Sequence, residues 1–446
     1  MTELKRTFDA RAIAILTVGT VIGSGIFLVP SSVLRDSGGS VGLAILVWVV
    51  AGVLSYLGAL TYAELGAMNP SSGGLYVYIR DAFGRAPAFV YGFTLFVVIA
   101  SGTVATLAVA SSTYLAQLMP LSPVTRKVIS LIVVAALTMV NVRGTQLSAQ
   151  VINVATALKL AAIALMVIAL PALGSGFSQI HRWFPERMTG SLLSSVGIAM
   201  IAVLWAYEGW QYITFIAGET VEPQRNFPKG LAWGVIGLII VYVTASTAYV
   251  AGIGPDQVMG AERVAADATA QVLGPGWAKL VALIIVTSML SAAQGNTLTA
   301  ARVYYALAKE GLFFEKMGGI HPRFGTPAFA LITSGIWSGA LALSGTFETL
   351  LTYVIFVGWI FYSLGGLAVI ALRRKLPNAA RPYRVPGYPM TPVLFVLSGL
   401  VIVVNTIVSN PRRGAIGVGA TLLAVPIYFI WKRGAGASSL SPKPRP

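Results

Sequence analysis

Residues 15–30 read ILTVGTVIGSGIFLVP, and residues 203–215 read VLWAYEGWQYITF. Each lies inside a long apolar stretch, and each interrupts the helix that stretch has to form. In the first, Gly19, Gly23 and Gly25 cluster within two turns, with Pro30 beyond. Glycine costs about 1 kcal/mol against alanine inside a helix, so the cluster weakens the helix locally. Close helix packing through Gly19-x-x-x-Gly23 would be reason enough for such a cluster on its own. The second interruption changes the weight of the first. Glu208 and Gly209 stand between bulky aromatics, at a similar depth in their own apolar stretch.

Working outward, a bilayer-crossing helix needs about 20 mainly apolar residues. On that ruler the chain divides into twelve spans separated by short polar connections. Spans one to five fill residues 12–171, and six to ten fill 194–371. Five is an odd number, so two consecutive copies must run oppositely across the membrane. Broken helices at matching positions of inverted repeats are the expected mark of a binding site near mid-membrane. Their free N–H groups face one way and their free C=O groups the other. Together they make a socket for a zwitterion.

Composition agrees. The 446 residues are 56% hydrophobic and 10% charged, with mean hydropathy +0.79. Soluble domains carry about 25% charge, so a soluble enzyme, a nucleic-acid-binding protein and a disordered chain are excluded. The chain has no cysteine, and its two histidines, His181 and His321, stand far apart. No phosphate-cradling GxxxxGK[ST] loop is present. Neither a cofactor nor a metal is expected. Most of the 31 Lys and Arg fall in connections on the N-terminal side, which predicts that both termini are cytoplasmic. A catalytic membrane enzyme would cluster acids or histidines at one face, and the 15 acids here are scattered. The expected organisation is a cytoplasmic N-terminus over 1–11, the two repeats, two peripheral helices within 390–431, and a disordered tail over 432–446. Residues 254–276 are too polar to cross and read as an external lid or packing element.

Several motifs occur together and in order: GTVIGSGIF (19–27), YAELGAMNPSSGGLYVYIRDAFG (62–84), LWAYEGWQY (204–212), GETVEPQRNFPKG (218–230), GNTLTAARVYYALAKEG (295–311) and RPYRVPGYP (381–389). They resemble the L-amino acid transporter branch of the amino acid–polyamine–organocation superfamily, as a prokaryotic member. The resemblance implies an all-α polytopic fold of the leucine-transporter type, with twelve transmembrane helices and the first and sixth broken. It further implies a sodium-independent transporter, an exchanger of small or medium neutral amino acids working by alternating access. By motif position, backbone amides around Ser24 and Gly25 would hold the substrate carboxylate. Carbonyls of Val21, Trp205 and Glu208 would hold its ammonium, and the Tyr207 ring would close over the substrate.

Lys159 lies about 18 Å from either end of the fifth span, too deep for one side chain to snorkel. A charge there costs about 2.5–3.5 kcal/mol, so it must face the bundle and have partners. The resemblance puts Lys159 in the place of a sodium ion, bridging the first and eighth spans with Ser288 as its partner. It could serve as a fixed cation or as a proton carrier; the latter would make the protein a proton symporter. Glu208 reads either as a structural contact or as the counter-charge of a cationic amino acid or polyamine. Glu64 reads as a structural or gating contact, and Arg302 and Lys309 as serving the cytoplasmic end of the eighth span. Animal members bind a heavy subunit through a cysteine in the loop matching 118–125. With no cysteine here, a disulfide-linked subunit is excluded, and the expected partners are the amino acid and the bilayer of the plasma membrane.

Overall fold

The computed structural model describes residues 6–116, 118–181, 183–344, 347–409 and 411–436. Within them the chain is helical and forms no strand, only an isolated bridge between Phe8 and Thr220. The first apolar stretch becomes α1 (Ala10–Val21) and α2 (Gly25–Asp36), bent by 58° at the glycine cluster. α3 (Val41–Met68) returns and is followed by the short α4 (Leu75–Phe83). The third apolar stretch is α5 (Arg85–Thr94), a π-helical turn at Leu95–Ile99, and α6 (Ala100–Leu115). α7 (Pro123–Arg143) and α8 (Thr145–Leu173) complete the first half.

The sixth stretch begins as α9 (Gly190–Ala206) and continues, after a break at Tyr207–Gly209, as a 3-10 helix over Trp210–Glu219. α10 (Pro223–Ile253) precedes two short helices, α11 (Pro255–Gly260) and α12 (Val264–Leu273). They occupy the segment that sequence marks as too polar to cross, and α12 packs on α2, α8, α10 and α13. α13 (Pro275–Lys309), α14 (Ala328–Ser344), α15 (Phe347–Lys375), α16 (Met390–Ser409) and α17 (Pro411–Gly436) follow.

Local chemistry sets the helix starts. Asp9 accepts from the Ala12 amide at 2.8 Å, and Ser122 and Thr189 cap α7 and α9 in the same way. Proline opens α7, α10, α11 and α13, where its missing N–H costs nothing. Apolar side chains such as Ile132, Ile168, Ile336 and Val401 stand 60% or more exposed on the outer surface. Only a lipid surround makes that arrangement stable. The protein is therefore a multi-pass membrane protein.

Among the described residues, ten helices are long and apolar enough to cross a bilayer, and the bent α1–α2 pair makes eleven. The difference from the expected twelve is α14, whose 17 residues rise only about 26 Å. The tail also departs from expectation at its start, because α17 runs on to Gly436. Residues 437–446 of the expected disordered tail lie outside the described residues, as do Met1–Lys5 of the N-terminal segment.

Candidate substrate site

The two breaks meet. A cavity opens beside them, walled by Thr20, Val21, Gly23, Ser24 and Gly25 from the first break and by Trp205, Ala206, Glu208 and Gly209 from the second. α6 adds Thr103, Thr106 and Leu107; Tyr212, Ala292, Asn296 and Val354 complete the wall. The space open to water centres is about 60 Å³. A single buried water needs roughly 10–15 Å³ on that measure, so a few waters or one compact solute fit.

Gly25 makes the meeting possible. A Cβ there would stand 2.7 Å from the Ala206 Cβ, closer than two carbons can approach. Past Ser24, α2 begins with free amides, and the positive end of its dipole points into the cavity. The Ser24 hydroxyl is buried there without a hydrogen-bond partner. An anionic group suits that end.

The opposite end, the C-terminus of α1, is largely occupied. Lys159, fully buried, donates to the carbonyls of Gly19 at 2.8 Å and Ile22 at 2.7 Å, and lies 3.4 Å from Ser291 Oγ. Ser288 donates to the carbonyls of Ile22 at 2.8 Å and Gly23 at 2.9 Å. Lys159 therefore ties α8 to the end of α1, with α13 alongside. Its ammonium is solvated by carbonyls rather than by an acid. Of the α1 carbonyls, Val21 keeps capacity, since the Tyr242 hydroxyl reaches it only at 3.4 Å while donating to Ala206 at 2.9 Å. The Trp205 carbonyl, at the last turn of α9, accepts from the Glu208 amide at 2.9 Å.

Tyr207 is not where sequence reading put it. Its ring does not line the cavity but lies buried between Trp48 and Tyr242, and its hydroxyl donates to the Trp48 carbonyl at 3.2 Å. The helix has turned about 200° between residues 205 and 207, so the neighbour of the break that faces the cavity is Trp205. Sequence reading also missed Thr103, Thr106, Tyr212 and Asn296. Thr103 and Thr106 bond their hydroxyls back to Ile99 and Gly102 in their own helix. For the two threonines the signal was the run of small residues at 100–112, which does not separate packing from binding; Tyr212 and Asn296 lie in the motifs at 204–212 and 295–311, which do not say which side chains face a cavity.

Glu208 does face the cavity. One carboxylate oxygen accepts from Tyr362 at 2.9 Å and lies 3.4 Å from the Gln211 amide; the other is buried without a partner. Arg302 and Glu64 lie outside the cavity. Arg302, fully buried, pairs with Glu219 at 2.8 Å and donates to Thr145 at 2.9 Å. Above that pair, Thr7 and Phe8 donate to the Glu219 carbonyl and Val221 donates back to Phe8. The N-terminal segment thus lies across this end of the bundle. Glu64 binds Arg373 at 2.7 Å and the Val385 amide at 2.7 Å. Lys309 sits 5.4 Å over the Tyr305 ring.

The sequence model of the amino acid permease family matches residues 8–431. The chain belongs to the amino acid permease family. This permease is 32% identical over 422 residues to the b(0,+)-type amino acid transporter 1 of Mus musculus, covering 92% of this chain and 85% of the relative. It is 31% identical over 430 residues to the large neutral amino acids transporter small subunit 2 of Homo sapiens, covering 93% and 78%. To the cystine/glutamate transporter of Homo sapiens it is 29% identical over 435 residues, covering 96% and 86%. The relatives are transporters and not enzymes. Amino acid transport is accordingly the activity of this permease.

Proposed function

We propose that this permease exchanges small or medium neutral L-amino acids, independently of sodium, by alternating access. The observation that carries the reading is the pairing of two helix breaks around one cavity, with the α2 amides at one side and the Val21 carbonyl at the other. The substrate carboxylate would rest on the amides around Ser24 and Gly25. Its ammonium would meet the carbonyls of Val21, Trp205 and Glu208. The wall left for the side chain is mainly apolar, with Leu107, Ala292 and Val354 beside Thr103 and Thr106, whose hydroxyls bond back into their own helix, and with Tyr212 and Asn296 as its polar members, which favours compact neutral side chains. The relatives' printed substrates differ among themselves, so at about 30% identity the cavity wall is the better guide.

Sodium independence rests on Lys159. Its ammonium, with Ser288 beside it, already supplies a positive charge to the α1 carbonyls where a bound cation would otherwise sit. The two halves, 12–171 and 194–371, would act as inverted repeats rocking about this site. The protein would stand alone in a prokaryotic plasma membrane with both termini cytoplasmic. A second reading, transport of cationic amino acids or polyamines, is favoured by one observation, the unpartnered carboxylate oxygen of Glu208, a residue of the cavity wall.

The test is uptake of a panel of labelled amino acids into sodium-free proteoliposomes, empty or preloaded, with and without an inward proton gradient. Uptake of alanine-sized substrates only into preloaded vesicles supports exchange with Lys159 as a fixed cation. Gradient-driven uptake into empty vesicles replaces it with proton symport. Saturable arginine or putrescine uptake that Glu208→Gln abolishes, while neutral substrates are spared, replaces it with the cationic reading.

A further inference from the structure

A groove on the lipid-facing surface has features that amino acid transport does not use. It lies between α3 and α10, with the loop at 382–386 across one end, and its volume is about 640 Å³ measured at water centres. Arg225, Lys229, Trp233 and Ile236 line it from a single face of α10, and Tyr56 and Tyr383 close it. The spacing of four, four and three residues keeps those α10 side chains in one row. Trp233 is 55% and Ile236 40% exposed, and the row continues apolar to Ile240 at 58%.

Depth explains the order of the row. α10 has 31 residues, a rise of about 46 Å, against about 30 Å of hydrocarbon. Its first two turns therefore project into the headgroup layer. Arg225 and Lys229 fall there, Trp233 at the interface where indoles concentrate, and Ile236 among acyl chains. Neither basic group has a salt-bridge partner among the described residues, and both are exposed. Glu64, the acid that approaches Tyr383, accepts from Arg373 and the Val385 amide and is ion-paired with Arg381 at 3.5 Å. Burial pushes the Tyr383 phenol up to about 12, with Tyr56 and Glu64 adding to the shift, so it stays a neutral O–H donor.

We propose that this groove binds an anionic phospholipid. The phosphodiester sits between Arg225, Lys229 and the Tyr383 hydroxyl, and an acyl chain lies along Trp233 and Ile236. Two cations over an apolar wall at the membrane boundary select a charged headgroup attached to a chain; a free phosphate would use only half of the surface. The lipid would lie on the outer face of the helix whose inner face holds α1, where Gly230 and Gly234 press against Ile13 and Thr17. The proposal depends on the membrane placement and not on which substrate is carried, so its failure leaves the transport reading intact.

The test uses the full-length protein in vesicles containing brominated phosphatidylglycerol or brominated phosphatidylcholine. The protein has nine tryptophans, so the Trp233 signal is taken as the difference from Trp233→Phe. Quenching of that component should need about thirty-fold less phosphatidylglycerol than phosphatidylcholine, which is two basic groups at about 1 kcal/mol each. Arg225→Gln with Lys229→Gln should remove the preference while amino acid uptake and the thermal midpoint persist. If the double variant misfolds, each single change should lower the preference about five-fold. Equal quenching by the two lipids, or an unchanged preference in the variants, overturns the proposal. Loss of the preference on adding millimolar inorganic phosphate would identify a free-anion site and overturn it as well.

Discussion

Lys159 and Gly25 show how much a single position decides in this molecule. Among the described residues, Lys159 is the only side-chain donor that reaches both the Gly19 and the Ile22 carbonyl, although Ser291 and Ser288 provide a second donor to each. In Lys159→Met those serines compensate in part, so the stability loss should be about 1–3 kcal/mol, the cost of one poorly satisfied buried carbonyl. Exchange should fall much further, because the positive charge that fixes the end of α1 is gone. A lowered thermal midpoint in detergent with near-complete loss of exchange is the expected pair of results. Uptake near the parental level would remove Lys159 from the mechanism. Gly25→Ala acts differently. Its Cβ would overlap Ala206, and overpacking of that kind costs about 1–3 kcal/mol and pushes the two breaks apart. Substrate binding, read by equilibrium displacement of a labelled amino acid, should weaken at least ten-fold, with a smaller change in expression. Lys159 was legible as buried and partnered because a mid-span charge has no other stable state. The face of Trp205 and Tyr207 was not legible, because both are large aromatics on opposite faces of the last turn of α9 and hydropathy does not say which face the cavity takes.

Among elements, the 3-10 segment at Trp210–Glu219 matters most for movement, because it ends in the buried Glu219–Arg302 pair to α13. Thr145 at the start of α8 donates nothing to Glu219 but accepts from Arg302, so three elements share one guanidinium. Arg302→Met leaves a carboxylate buried and unpaired, which should cost about 3–5 kcal/mol. Arg302→Met with Glu219→Met removes both charges and should recover most of that loss. The absence of native cysteine makes the conformational consequence measurable, since a single Thr106→Cys in the cavity labels against no background. With the pair removed, maleimide should reach residue 106 faster from the side that carries the N-terminus. An unchanged labelling rate would reduce the pair to a structural role. The elements themselves were readable from hydropathy, capping residues and prolines. The π-helical turn at Leu95–Ile99 was not, since its residues are as apolar as their neighbours and its geometry depends on packing against α15.

For the whole molecule, the question that composition raised is which way the bundle faces. α13 has 35 residues and rises about 52 Å, longer than the roughly 40–45 Å of a bilayer with its headgroups. Both of its ends must therefore reach water, on opposite sides. Gly276 marks one end, where an added Cβ meets nothing within 4 Å, and the exposed Lys316 follows the other. The Lys316 end carries Arg302, the N-terminal segment and most of the basic connections, and such an excess is retained on the cytoplasmic side. Gly276→Cys should therefore react with a membrane-impermeant maleimide on intact cells, and Lys316→Cys only after permeabilisation. The reverse pattern would put the basic connections outside. It would also move the groove of Arg225 and Lys229 to the outer leaflet, away from the leaflet whose anionic surface attracts them.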